Sequence, residues 1–165
     1  MNLQPFAQYW LTRRVAVIPV DWQTKRPALS SWNPYRDRLP SDDELRAWFR
    51  DDRFKAYGVV LGWRNLAVLD FDDIAEYRSW VLWARQQPLA SKILSEAFTV
   101  MTARGVHIYL RLASAIKNHK IGKIDIKTSG YVLGPGSIHP SGAEYRAMRE
   151  EIHLPLIMTL SDILP

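Results

Sequence analysis

Residues Val68 to Tyr77 read VLDFDDIAEY, and three aspartates, Asp70, Asp72 and Asp73, close the most apolar stretch of the chain. A carboxylate at a strand end either caps the next helix or holds a cation, and its partners elsewhere decide which. In an extended strand, residues two apart share a face. Ala67, Leu69 and Phe71 then point one way, while Val68, Asp70 and Asp72 point the other. That places the two carboxylates roughly 6–7 Å apart along one ridge. Asp72 or Asp73 is also suited to N-cap a following helix. IAEYRSWVLWARQQ has helical period, with Tyr77, Trp80, Val81 and Ala84 on one face, and it stops at Pro88.

Two further stretches split in the same way. In HIYLRL, Ile108, Leu110 and Leu112 oppose His107, Tyr109 and Arg111; in KIDIKT, Ile124 and Ile126 oppose Asp125 and Lys127. If the three strands share one sheet covered by helices on one side, its other face collects Asp70, Asp72, Asp125, His107 and Lys127. Three carboxylates held close repel one another unless a cation neutralises them. The chain has no cysteine, so a zinc-thiolate site is impossible and the donors left are carboxylate, imidazole and carbonyl. These favour hard cations, Mg²⁺ or Mn²⁺. The set suits a two-metal site for phosphoryl chemistry, with His107 and nearby cations on triphosphate oxygens. Simpler readings exist singly: a capping aspartate, a hydrogen-bonded histidine, an Asp125–Lys127 surface ion pair. The coincidence of all these residues on matching strand faces favours the site.

Outside this centre, PFAQYWLTRR predicts a helix from about Pro5 to Arg13, and VAVIPV a buried strand. The loop DWQTKRPALSSWNPYRDRLP ends at SDDELRAWF, where Ser41 and Glu44 have capping-box spacing and a second helix should start. AYGVVLG and NLAVLDFDD, joined by Trp63 and Arg64, suggest an antiparallel hairpin; FTVMTARGVHIYLRL, broken at Arg104-Gly105, suggests another. ASAIKNHKIG reads as a basic loop, SGYVLGPGSIHPSG as a Gly/Pro-rich turn region, AEYRAM as a short strand, and the segment from about Leu154 as helical.

The 165 residues fit one domain that buries about two thirds of its unfolded surface. A hydrophobic fraction of 47% and a charged fraction of 24% exclude disorder, and no apolar run is long enough to span a membrane. Without a signal-peptide pattern, the expected location is cytoplasmic, away from membranes. The net charge of +5 suits a polyanionic partner. Its distribution says more: between Arg104 and Lys127 six cations face a single acid, Asp125.

VLDFDD, TARGVHIYL and IDIKTSGYVLGPGSIHPSG together resemble, in order and spacing, the primase-polymerase (prim-pol) domain of the archaeo-eukaryotic primase superfamily, found in replication proteins of phages, plasmids and other mobile elements. TKRPALSSW resembles the family's Lys-x-Pro segment, and YGVVLG the strand before its acidic motif. The resemblance spans nearly the whole chain. It implies an α+β fold: an RRM-like antiparallel sheet packed with helices, plus a small α/β module, with the active site in the cleft between them. It matches Asp70 and Asp72 to the first pair of metal-binding, catalytic acids and Asp125 to the third. His107 matches the histidine that contacts the incoming nucleotide's phosphate; the small residue before it is Gly105, where many members have serine. Lys127, Ser137 and His139 match positions around the nucleotide pocket, and Arg104 is a phosphate candidate by charge and position.

The expected function is template-directed nucleotidyl transfer to a 3′-hydroxyl by a DNA primase/polymerase, using nucleoside triphosphates, a DNA template and primer, and Mg²⁺ or Mn²⁺. Lys117 to Lys123 and the N-terminal region are candidates to track template phosphates, and Trp32 or Tyr35 to stack on bases. Family members often carry a helical accessory domain or a helicase after this core, so the chain fits either the N-terminal core of a larger replication protein or a minimal one. Two alternatives stand beside this reading: a metal-dependent nuclease, and a non-catalytic RRM-like nucleic-acid-binding module. Acids on the open face weigh against the latter.

Overall fold

The computed structural model describes residues 2–50 and 53–165. It is an α+β protein whose described strands form two sheets, one three-stranded in the order β1-β2-β8 and one seven-stranded. The chain divides into two compact units: residues 1–63 with 130–146, and residues 64–129 with 147–165.

In the first unit, α1 (Gln4–Thr12) has a proline in its first turn, where the missing N–H costs nothing. Strand β1 (Val17–Val20) is wholly buried and pairs antiparallel with β2 (Ala56–Val60), which pairs in turn with β8 (Tyr131–Leu133). Helix α2 (Asp42–Phe49) starts at the capping box its sequence announces. The Ser41 hydroxyl accepts from Glu44 N at 3.1 Å, and the Glu44 carboxylate accepts from Ser41 N at 2.8 Å. Arg38 clamps the same carboxylate at 2.6 Å. Trp10 donates to the Tyr57 hydroxyl at 3.0 Å in the core, so the one polar tip of each ring is satisfied where water is excluded.

The seven-stranded sheet, which lies in the second unit except for Arg146 of β9, runs β6-β7-β3-β5-β4-β9, with β10 beside β5. Its strands are β3 (Leu66–Phe71), β4 (Thr99–Met101), β5 (Val106–Leu112), β6 (His119–Ile121), β7 (Ile124–Lys127), β9 (Arg146–Ala147) and β10 (Leu156–Ile157). Ala67, Leu69, Phe71, Ile108, Leu110, Leu112, Ile124 and Ile126 all enter one core with Trp80 and Ala84 of α3 (Ile74–Ala84) and Ala90 and Ile93 of α4 (Pro88–Glu96). The apolar faces assigned from alternation are therefore the buried ones. The predicted β4–β5 hairpin forms, with Met101 opposite Val106.

Other expectations fail for local reasons. β2 and β3 make no hairpin and lie in different sheets. The link between them is too contorted: Gly62, Arg64 and Asn65 all have positive φ, at 89°, 50° and 56°, around a 3-10 turn at Trp63–Asn65. α3 stops at Ala84, before Pro88, and Pro88 opens α4 at its first turn, a helix the sequence reading missed. The basic loop contains β6, and the Gly/Pro-rich region contains β8. The segment after Leu154 forms β10 and then a 3-10 turn at Leu160–Asp162. There, Arg111 N donates to Pro155 O and Ala113 N to Ile157 O, both at 2.9 Å, so a free sheet edge captures a segment too short for a stable helix.

Candidate active site

The polar face of the second unit's sheet is organised by register. Lys120 on β6 lies opposite Asp125 on β7, Asp125 opposite Asp70 on β3, and Asp70 opposite His107 on β5. Four polar residues thus form one row across four adjacent strands, each separated from the next by about one strand spacing, about 4.8 Å. A one-residue slip anywhere would turn one of them into the core, so the apolar face fixes the row.

Asp70 sits near the middle and is almost inaccessible, 4% exposed. Its Oδ1 lies 3.3 Å from His107 Nε2, and its Oδ2 is ion-paired with Lys127 Nζ. Lys127 reaches it diagonally, from a position opposite Val68. Burial pushes the Asp70 carboxyl up, but the hydrogen bonds and charges of His107 and Lys127 outweigh it and hold the group at about 2. Asp70 is therefore a buried anion. The Asp125 carboxylate lies 3.4 Å from Lys120 Nζ, so the Asp125–Lys127 pair considered from sequence is replaced by two others.

Asp72 lies one residue beyond the end of β3, exposed, 3.7 Å from Arg104. Asp73 next to it is the N-cap of α3, its Oδ1 accepting from Ala75 N at 2.7 Å. The turn carrying Arg104 is pressed onto this strand end. A Cβ on Gly105 would stand 1.7 Å from Phe71 O, and Ile74 N donates to Arg104 O at 3.1 Å. Glycine is thus required at 105 by close backbone approach, and a serine there has no room.

Ser137 and His139 belong to the first unit. Ser137 is fully buried and its hydroxyl is engaged with the Tyr57 backbone, accepting from N at 3.1 Å and lying 3.3 Å from O. His139 turns its Nδ1 to Ser141, 2.9 Å from the hydroxyl. The row that joins Asp70, Asp125 and His107 therefore includes neither.

Among the described residues, no group of three or more His, Cys, Asp or Glu side chains converges as a ready metal cage. Instead each acid faces a side-chain cation: Lys127 for Asp70, Arg104 for Asp72, Lys120 for Asp125. The donor chemistry nonetheless fits a hard divalent ion, with two carboxylates in register on neighbouring strands and a third two residues along.

A family model, bifunctional DNA primase/polymerase, N-terminal (Prim-Pol), matches residues 7–159. The chain belongs to the Prim-Pol family. It therefore joins a family of DNA primase/polymerase-type nucleotidyltransferases, as the three sequence motifs suggested. No curated protein matches the chain by sequence. Among the described residues, no helix is long and apolar enough to cross a membrane.

Lys120 falls in the basic loop by sequence, yet it stands in the acid row. The signal was HKIGKIDI: a two-residue Gly122-Lys123 turn, with Gly122 at φ 56°, pairs Ile121 with Ile124 and so Lys120 with Asp125. Lys123 then reaches Glu76 of α3 at 2.8 Å, which fastens the hairpin turn.

Proposed function

We propose that the chain is a template-directed DNA primase/polymerase core, joining nucleoside triphosphates to a primer 3′-hydroxyl with release of pyrophosphate. The observation that carries the reading is the in-register row Lys120, Asp125, Asp70, His107 in a chain of the Prim-Pol family. Asp70, Asp72 and Asp125 would hold Mg²⁺ or Mn²⁺. When bound, such ions supply Lewis-acid activation of the attacking hydroxyl and charge stabilisation at the leaving oxygen.

The remaining work falls to the chain's own side chains. His107, whose Nε2 lies 3.3 Å from Asp70 Oδ1, would contact a phosphate oxygen of the incoming nucleotide. Lys127, Lys120 and Arg104 hold the acids as ion pairs, and all three are at least a third exposed. Long, flexible cations of this kind can turn from a carboxylate to a triphosphate when other positive charge enters. A buried anion at Asp70 remains ionised at every working pH, so the ligand charge is always available. The template and primer would be DNA.

The test is extension of a labelled primer on a DNA template with Mg²⁺ or Mn²⁺ and all nucleotides, comparing the wild type with Asp70→Ala/Asp72→Ala. Metal-dependent extension abolished in the variant is the expected result. Cleavage of the DNA in place of extension would make the chain a nuclease.

A further inference from the structure

The first unit carries a second concentration of unusual chemistry, unrelated to the acid row. Between Trp22 and Arg36 the sequence has Lys25, Arg26 and Arg36 and no acid at all. The loop folds around a ring pair. Trp32, half-buried, meets the edge of Tyr131 on β8 with centroids 5.5 Å apart at 79°, and the Arg36 guanidinium lies over the Trp32 face, 4.5 Å from its centroid. Elsewhere in the unit Arg38 and Arg46 are held by the carboxylates of Glu44 and Asp43; Arg36 rests instead on an indole.

The arrangement is built rather than casual. Tyr131 donates its hydroxyl to Lys25 O at 2.7 Å, which ties the loop to the strand. Its ring lies on Gly58, where a Cβ would come within 2.7 Å of it. A tight turn then presents Lys25 and Arg26 outward: Asp21 accepts from Thr24 N at 2.7 Å, Lys25 N donates to Asp21 O at 2.8 Å, and Asp21 N to Arg26 O at 2.9 Å. Both basic side chains are exposed. Tyr35, the neighbouring aromatic, is a different case: it is buried, bonded to Glu44 and packed on Trp48.

Half-exposed aromatic faces set among cations are what single-stranded nucleic acid needs: a π-face for a base and positive charge for flanking phosphates. We propose that Trp32, Tyr131 and Arg36, flanked by Lys25 and Arg26, form a single-strand binding platform. One base stacks on Trp32 in place of the Arg36 guanidinium, which moves with Lys25 and Arg26 onto the phosphates. As the place where an unpaired template strand is held, the platform rests on the polymerase reading; as a binding site it does not.

The test is fluorescence anisotropy of a labelled oligo-dT with the whole chain in EDTA, without nucleotides, so that catalysis plays no part. Trp32→Leu should weaken binding about ten-fold and Trp32→Phe much less, because base–aromatic stacking tolerates the smaller ring. Lys25→Glu/Arg26→Glu changes exposed side chains only. It should weaken binding and reduce the steepness of the log K against log salt line by about 1.4, the slope for two phosphates on a single strand. Circular dichroism checks that each variant is folded. Equal oligo-dT affinity in the wild type and the charge-reversed double variant would overturn the proposal, whatever Trp32→Leu does. Binding that depends on the platform, together with failure of primer extension, would uphold it and refute the polymerase reading instead.

Discussion

Asp70 and His107 are cross-strand partners whose side chains meet at 3.3 Å, both nearly excluded from solvent at 5% and 7% exposure. With Lys127 on its second oxygen, the Asp70 carboxylate carries a buried charge compensated from two sides. Asp70→Asn keeps the volume and removes the charge, leaving two donor groups facing an amide. Primer extension should fall to background. Stability should drop by about 1–3 kcal/mol in urea denaturation, less than for a fully buried broken pair because Lys127 can rehydrate. Full extension by this variant would remove Asp70 from the chemistry.

The same carboxylate predicts an acid dependence. Its folded value of about 2 lies below the ordinary 3.8, so its contribution is complete above the unfolded value and is lost as pH falls from about 4 towards 2. At 1.36 kcal/mol per unit the contribution is about 2 kcal/mol. The difference in unfolding free energy between wild type and Asp70→Asn should therefore shrink between pH 5 and pH 2.5. Glu44, held low chiefly by its bond to Arg38, titrates in the same window but cancels because both proteins have it. A difference that stays constant across that range would contradict the assignment.

Much of this site was legible because a period of two is hard to disguise. Ala67, Leu69 and Phe71 bury together, so Asp70 had to face the other way, and the same logic placed His107 and Asp125. What alternation cannot supply is which strands are neighbours and which long side chain reaches which acid. Asp125 finds Lys120 across β6 rather than Lys127 on its own strand, a choice made by hairpin register. The false β2–β3 hairpin has the same origin. Two apolar runs with a short link satisfy the local rule, and three positive-φ residues in that link override it. Nor does alternation show that the Ser137 hydroxyl is engaged by the Tyr57 backbone.

Neighbouring aspartates should separate cleanly by their roles. Asp73→Ala removes the N-cap of α3 and should cost about 1 kcal/mol in thermal or urea unfolding while extension remains within about two-fold. Asp72→Ala breaks only an exposed pair with Arg104 and should leave stability within about 0.5 kcal/mol while abolishing extension. The reverse pattern would exchange the two assignments.

If Asp125 holds a divalent ion as proposed, Lys120 should compete with it, since both seek the same carboxylate. A half-exposed pair of this kind is worth about 0.2–1 kcal/mol. Lys120→Ala should therefore tighten Mn²⁺ binding up to about five-fold, read by the electron paramagnetic resonance signal of free Mn²⁺. Weaker binding in the variant would mean that Lys120 supports the metal site in some other way.

Gly105 gives the last prediction, because its place is fixed by backbone and no side-chain movement can relieve it. A Cβ there would stand 1.7 Å from Phe71 O and 2.8 Å from Phe71 C, at the end of the strand that carries Asp70. Gly105→Ala must push the β4–β5 turn away from β3, which costs about 1–3 kcal/mol as an overpacked contact and draws His107, two residues on, out of register with Asp70. Gly105→Ser, the residue many relatives of this family would suggest, should do the same and should not improve nucleotide use. Urea denaturation and the KM for nucleotide in primer extension measure the two effects together. A Gly105→Ser variant as stable as wild type, with a lower KM, would show that the turn yields and that a hydroxyl at 105 reaches the nucleotide after all.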